Sequence, residues 1–135
     1  AQPHILAHNL ETVRRMHPAV RPQADYDRSM SVLNAIKNGG LITKTSLMVG
    51  IGERDDEVRE TMIDLREQAD IDILTIGQYL QPTRNHLPVD RWVEPDQFEA
   101  WKEMGLELGF GVVESGPLVR SSYHAESQAA ALTSG

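Results

Sequence analysis

Short apolar runs alternate with amphipathic stretches along this 135-residue chain, and that alternation limits the folds open to it. The runs predict strands over residues 4–10, 43–49, 71–76 and 111–114. The amphipathic stretches predict helices over residues 26–37 and 55–69 and from residue 95 onward. This order is typical of a parallel sheet whose strands are joined by crossover helices. Because so few units rarely make a complete parallel sheet, the sequence predicts an α/β fold that is the C-terminal part of a larger barrel-like domain.

The helix predicted over residues 55–69 has the clearest pattern, since Val58, Met62, Leu65 and Ala69 lie on one face and charged residues surround the rest. The run over residues 71–76 is almost continuously apolar, which is typical of a strand buried on both faces. The last ten residues are rich in Ala and Ser, so we expect residues 1–125 to form the folded part and residues 126–135 a flexible tail.

Composition narrows the function classes. With 40% hydrophobic residues the chain has enough apolar side chains for a core, and its net charge of −7 disfavours a nucleic-acid partner. No apolar run approaches the roughly 20 residues that span a bilayer, and no signal-peptide pattern occurs, so we expect no membrane partner and a cytoplasmic or organelle-matrix location. The absence of cysteine excludes thiol nucleophiles and cysteine-ligated zinc or iron–sulfur sites made by this chain alone.

Two polar segments follow predicted strands and gather side chains that bind anions, donate protons or ligate metals. They cover residues 77–88 and 116–124. Loops at the ends of buried strands are where α/β proteins keep their chemistry. A loop that only connects elements needs Gly, Pro, Asn or Asp, whereas these contain Gln, Tyr, Arg and His. The two segments therefore predict an enzyme.

Taken singly, the polar clusters leave alternatives open. Asn9 and Glu11 alternate at a strand end and could hold ribose hydroxyls or an ammonium group, or simply cap a turn. Residues 48–53 contain two glycines that permit either close approach to a ligand or a tight turn, but lack the GxGxxG spacing. Residues 120–124 place serine beside histidine without the elbow motif of a hydrolase.

Taken together, the segments resemble the C-terminal half of lipoyl synthases, a family of radical S-adenosylmethionine (SAM) enzymes. The matching motifs are HNLETV (8–13), VRP (20–22) followed by Tyr26, Arg28 and Ser29, LMVGIGE (47–53), LTIGQYLQP (74–82), HLPV (86–89) and GPLVRSSYHA (116–125). They occur in the family order and cover nearly the whole chain.

The resemblance implies part of a TIM-like (β/α) barrel of the radical SAM type. It also implies sulfur insertion at carbons C6 and C8 of an octanoyl-lysine, presented by a lipoyl-carrier domain, to form the lipoyl cofactor. Two [4Fe–4S] clusters are implied, one that cleaves SAM and an auxiliary one that donates sulfur.

The family motifs also imply roles for particular residues. Those that match SAM-contacting positions are Asn9, Glu11, Arg28, Met48, Gly50 and Gln78. Those expected to face the octanoyl-lysine are Gln81, Arg84 and His86. Ser121, or else Ser122, corresponds to the serine that ligates the auxiliary cluster.

The chain departs from the family in lacking both of its three-cysteine motifs, which lie in the N-terminal half. We therefore expect this chain to be active only when joined to that half, and inactive alone. The alternative is a non-catalytic, cysteine-free relative that binds SAM or a lipoyl-carrier domain. Another radical SAM sulfur-inserting enzyme is disfavoured by residues 120–124.

Overall fold

A parallel sheet organises the part of the chain that the computed structural model describes, residues 5–20 and 25–119. Its strands are β1 (Ile5–Ala7), β2 (Ile42–Val49), β3 (Ile73–Gln78) and β4 (Val112–Gly116). The helices are α1 (His17–Val20), which follows a 3₁₀ turn at Arg14–Met16, then α2 (Tyr26–Asn38), α3 (Asp55–Ala69) and α4 (Pro95–Leu108). The four strands lie in the order β1-β2-β3-β4, all parallel, so the predicted α/β fold class of a partial barrel is confirmed.

The first predicted strand is shorter than expected because its regular pairing with β2 ends at Ala7 and resumes only as a single bridge at Glu11. After Ala7 the backbone stays beside β2, with the His8 amide donating to the Lys44 carbonyl at 3.1 Å. Glu11 then adopts a left-handed conformation (φ 80°), which a regular strand cannot contain. The third predicted strand is shifted by two residues, since it begins at Ile73 and continues through Gly77 and Gln78.

Local signals in the sequence account for the helix ends. Asp25 caps α2 by accepting hydrogen bonds from the amides of Asp27 and Arg28. Pro95 occupies the first turn of α4, and Gly109 ends that helix with φ 107°. No helix in residues 5–20 and 25–119 is long and apolar enough to cross a membrane.

The hydrophobic core lies between the sheet and helices α2, α3 and α4. Strand residues such as Leu74, Ile76 and Val113 meet Trp101 and Phe98 of α4, whose rings pack edge to face at 5.8 Å. Every residue of β3 is buried, as predicted for a strand covered on both faces. The alternate side chains of β2 and β3, including Ser46 and Thr75, point to the other face of the sheet.

An ion pair joins the turn before α1 to α3 and makes stability depend on pH. The Arg15 guanidinium donates to both carboxylate oxygens of Glu57, from Nε at 2.9 Å and Nη2 at 2.8 Å. Glu57 also accepts from the Arg54 amide at 2.8 Å, which satisfies that amide at the start of α3. The hydrogen bond from Arg15 is the main reason that the pKa of Glu57 is lowered, and partial desolvation opposes it.

A lowered pKa in the folded state means that ionised Glu57 stabilises the fold above its unfolded pKa, and that this contribution is lost as pH falls through the folded value. We expect Glu57→Gln to lower the free energy of unfolding by about 2 kcal/mol at pH 7. The difference from the wild type should shrink below pH 4, as followed by urea unfolding. Glu60→Gln, the same charge change on an exposed residue of the same helix, is the control. A difference that stays constant with pH would contradict the assignment.

Candidate functional site

Two adjoining cavities open where the strands end at their carboxyl edge. The larger has a volume of about 580 Å³, and the smaller about 220 Å³. Glu11, Met48 and Leu80 line both. The larger is otherwise lined by Ala19, Val20, Ile51, Tyr79, Pro82, Asn85, His86, Leu87 and Pro88, and the smaller by Asn9, Ser46, Leu47, Thr75, Gly77, Gln78 and Val119. Loops after β1, β2 and β3 thus meet at one edge, as in enzymes built on parallel barrels.

The turn after β2 is held by a buried carboxylate. Glu53 accepts hydrogen bonds from the amides of Gly50 and Ile51, each at 3.0 Å, and its side chain is only 1% exposed. The Arg91 guanidinium pairs with Glu53 at 3.1 Å and with Asp55 at 2.7 Å. Because buried carboxylates need such partners, Glu53 fixes the turn and also attaches the segment around Arg91 to it.

Gln78 anchors the long loop that follows β3. Its side-chain amide donates to the carbonyls of Arg91 at 3.0 Å and Tyr79 at 3.1 Å, and its oxygen accepts from the Val93 amide at 2.9 Å. The Tyr79 hydroxyl donates to the Leu87 carbonyl at 2.6 Å inside the same loop, and burial raises the pKa of that hydroxyl. The loop that forms much of the larger cavity is therefore bonded to the sheet near both its ends.

The chain after β4 comes back across the sheet. A Cβ atom built on Gly77 would lie 2.4 Å from the Val119 carbonyl oxygen, so residue 119 lies directly against the end of β3. The Val119 amide donates to the Gly116 carbonyl at 3.2 Å, which forms the tight turn behind this approach. Val119 thereby becomes part of the wall of the smaller cavity.

The structure brings some of the sequence-predicted residues together and leaves others apart. Asn9, Glu11, Met48, Gln78 and His86 line the cavities. Gly50 is buried in the turn after β2 and lines neither cavity. Gln81 is exposed and donates to the His86 carbonyl at 2.9 Å. Arg28 and Arg84 are exposed and also lie outside both linings. Ser121 and Ser122, like the predicted tail over residues 126–135, lie outside the described residues.

Sequence reasoning missed the polar side chains on the inner face of the sheet. Ser46 and Thr75 line the smaller cavity, and Glu114 stands beside Thr75 in the same row. One row deeper lies Lys44, whose pKa is lowered by burial while the charge of Glu114 opposes that shift. The signal was present, because Thr75 stands in a strand predicted to be buried and Lys44 and Ser46 stand inside its neighbour, and buried polar side chains require partners.

Comparison with known proteins identifies the relatives of this chain. It is 57% identical to a lipoyl synthase of Rubrobacter xylanophilus over 130 residues, which are 95% of this chain and 40% of that protein. It is 55% identical to a lipoyl synthase of Flavobacterium psychrophilum over 127 residues, 93% of this chain and 43% of that protein. A rice protein named Lipoyl synthase 2, chloroplastic, is 56% identical over 124 residues, 90% of this chain and 32% of that protein.

The chain belongs to the lipoyl synthase family. No family model matches it, so the membership follows from the similarity of individual lipoyl synthases to nearly all of the chain. The chain spans about two fifths of the length of the first two of these relatives. The resemblance inferred from the motifs is therefore confirmed for the family.

Proposed function

We propose that this chain is the C-terminal portion of a lipoyl synthase and supplies one side of its active site. The complete enzyme would insert two sulfur atoms at C6 and C8 of a protein-bound octanoyl-lysine by radical SAM chemistry. The observation that carries the proposal is the meeting of Glu11, Met48 and His86 around one cavity at the carboxyl edge of the sheet. These residues come from three of the motifs shared with the family.

The volume and lining of the larger cavity support a SAM site. Its volume of about 580 Å³ lies within the range typical of small-molecule sites. Ile51, Leu80 and Pro82 offer apolar surface for an adenine ring, while the Glu11 carboxylate offers an acceptor for ribose hydroxyls or an ammonium group. We propose that Met48 and the backbone of the turn at Gly50 border the adenine. When bound beside a reduced cluster, SAM supplies the radical that removes hydrogen from the substrate.

Residues 5–20 and 25–119 do not offer a ligand set for an iron–sulfur cluster by themselves. It contains no cysteine, and residues 5–20 and 25–119 hold no group of three or more His, Asp or Glu side chains placed for a metal. A [4Fe–4S] cluster needs four ligands, usually thiolates. We propose that Ser121, or alternatively Ser122, supplies one ligand to an auxiliary cluster whose cysteines lie in the remainder of the enzyme. The position of Val119 in the smaller cavity supports this, because Ser121 is only two residues further along the chain.

In this proposal the residues of this chain bind the ligands and hold the loop beside the larger cavity in position. Gln78, Glu53 and Arg91 hold the loop that borders the larger cavity, and His86 lies at its rim. We propose that Gln81, Arg84 and His86 contact the octanoyl-lysine. Arg28 would contact SAM only after its surroundings rearrange or after the remainder of the enzyme is in place. The partner would be an octanoylated lipoyl-carrier domain, in the cytoplasm or an organelle matrix.

A chimera tests this proposal. The part of the Rubrobacter lipoyl synthase that lies outside the aligned region would be joined to residues 1–135, and the chimera would be reconstituted with iron and sulfide and incubated with SAM and a reductant. We expect conversion of an octanoyl-lysine peptide to the lipoyl-lysine form, detected by mass spectrometry. The chain alone should give no product, as its lack of cysteine requires.

Matched variants separate the serine assignments. Ser121→Ala in the chimera should lower the iron content and abolish product, whereas Ser122→Ala should leave most of both. A chimera with both serines intact that folds and binds its full complement of iron, yet gives no product, would contradict the proposal. In that case the non-catalytic, ligand-binding alternative would be favoured.

A further inference from the structure

Thr75 carries a hydroxyl that no other described residue satisfies. It lies in the middle of β3, the residue is 1% exposed, and its Oγ1 atom is buried without a hydrogen-bond partner among the described residues. Burying a hydroxyl in this way costs free energy unless a partner is provided. Thr75 also lines the smaller cavity, on the face of the sheet away from the hydrophobic core.

Other buried threonines of the same sheet show what a satisfied hydroxyl looks like here. Thr45 donates to the His8 carbonyl at 2.8 Å and accepts from the Leu10 amide at 3.0 Å. Thr43 donates to the Asp72 carboxylate at 3.2 Å. These two hydroxyls contribute to the fold, whereas that of Thr75 makes no such contribution.

The surroundings of Thr75 define the chemistry of a suitable partner. Asn9, Ser46 and Gln78 of the cavity wall are uncharged, and Glu11 at its edge and Glu114 beside Thr75 disfavour an anion. Leu80 and Val119 add apolar surface. A neutral group that both donates and accepts, carried on an apolar body, fits this lining.

We propose that Thr75 is a ligand-binding residue whose hydroxyl hydrogen-bonds a neutral polar group of the molecule that fills the smaller cavity. A hydroxyl and a methyl of similar size share its Cβ, so rotation about χ1 would exchange the two groups with little change in packing. The identity of the ligand rests on the proposed function, which offers two sources of such a group. One is a ribose hydroxyl of a nucleoside, and the other is the amide of an acylated lysine.

The decisive variant is Thr75→Val, which keeps the shape and removes the hydroxyl. We expect the urea midpoint of the 135-residue chain to stay unchanged or rise, because an unsatisfied buried group is replaced by a methyl. Thr45→Val, which removes two hydrogen bonds in the same sheet, should lower the midpoint and serves as the matched control. A fall in the midpoint for Thr75→Val similar to that of Thr45→Val would overturn the proposal, since the hydroxyl would then be structural.

Ligand binding supplies the second readout. Isothermal titration with 5′-deoxyadenosine and, separately, with an octanoyl-lysine peptide should show that the wild type binds at least one of them. Thr75→Val should weaken that binding about tenfold, as expected for one lost hydrogen bond, and Thr75→Ser should restore it. The probe whose affinity falls in Thr75→Val identifies the source of the polar group.

Equal affinity of Thr75→Val and the wild type, or no binding of either probe by the wild type, would overturn the proposal. The proposed function is judged separately, by product formation in the chimera with Thr75 unchanged. An active chimera with a negative binding result would reject the role of Thr75 alone. An inactive chimera together with a Thr75-dependent affinity would reject the proposed reaction alone.

Discussion

Gly50→Ala is expected to lower the free energy of unfolding by about 4 kcal/mol, a large part of the total for a small domain. Gly50 has φ 86°, where an L side chain is strained by about 1–3 kcal/mol. Its added Cβ would also lie 2.4 Å from the Arg91 carbonyl oxygen and 2.5 Å from the Gln78 side-chain nitrogen. Relief of that collision requires the loop over residues 79–93 to move away from the sheet, at a further cost of about 1–3 kcal/mol. Urea unfolding of the purified chain measures the sum.

Gly40 provides the control for Gly50, because it has nearly the same conformation without the neighbours. Its φ is 80°, and a Cβ built on it meets nothing within 4 Å. Gly40→Ala should therefore lower the free energy of unfolding by only about 1–3 kcal/mol, the strain contribution alone. If both variants lost the same free energy of unfolding, the close contact between the turn and the loop would not be the reason that position 50 requires glycine.

Gly77→Ala is expected to have the second largest effect, and in the chimera to reduce the auxiliary iron content as well as stability. The Cβ would lie 2.4 Å from the Val119 carbonyl oxygen, and that atom belongs to backbone. The turn over residues 116–119 must shift, which displaces the start of the segment that carries Ser121. We expect a loss of about 1–3 kcal/mol in the free energy of unfolding, and a fall in iron bound per chimera molecule.

Gly116 is the matched control for Gly77, since the two residues are paired across β3 and β4. A Cβ on Gly116 would meet only a Val119 side-chain carbon at 3.6 Å, an ordinary contact. Gly116→Ala should therefore leave iron content close to that of the wild type. If Gly77→Ala also retained full iron content, the return of the chain across β3 would have no part in placing the cluster ligand.

The order of strands and helices could be predicted from the sequence because each element carries its own signal. The apolar face of α3, Pro95 at the start of α4 and the continuous apolar run of β3 each depend on residues close together in the chain. The length of β1 could not be predicted in this way. It depends on the left-handed conformation of Glu11, which is set by its bonds to the neighbouring strand.

The candidate site was predictable only in outline, for the same reason. The family motifs pointed to Glu11, Met48 and His86, and the structure places these around one cavity. The sequence did not show which motif residues face a ligand and which hold the fold. The Gln78 side-chain amide, for example, hydrogen-bonds the backbone of Tyr79, Arg91 and Val93. The role of Thr75 could not be predicted, because a nearly continuous apolar run does not indicate which of its side chains face the core and which face a cavity.

The attachment of the loop by Gln78 also has a thermodynamic consequence for ligand capture. A cavity wall that is already tied to the sheet at Tyr79 and again at Arg91 and Val93 loses little conformational entropy when a ligand arrives. More of the interaction energy then appears as affinity, which is the advantage of a preorganised receptor. The Val93 amide, which donates to the Gln78 side chain, and the Tyr79 amide, which donates to the Val49 carbonyl, should be protected from hydrogen exchange before any ligand is added, and binding should add little to that protection.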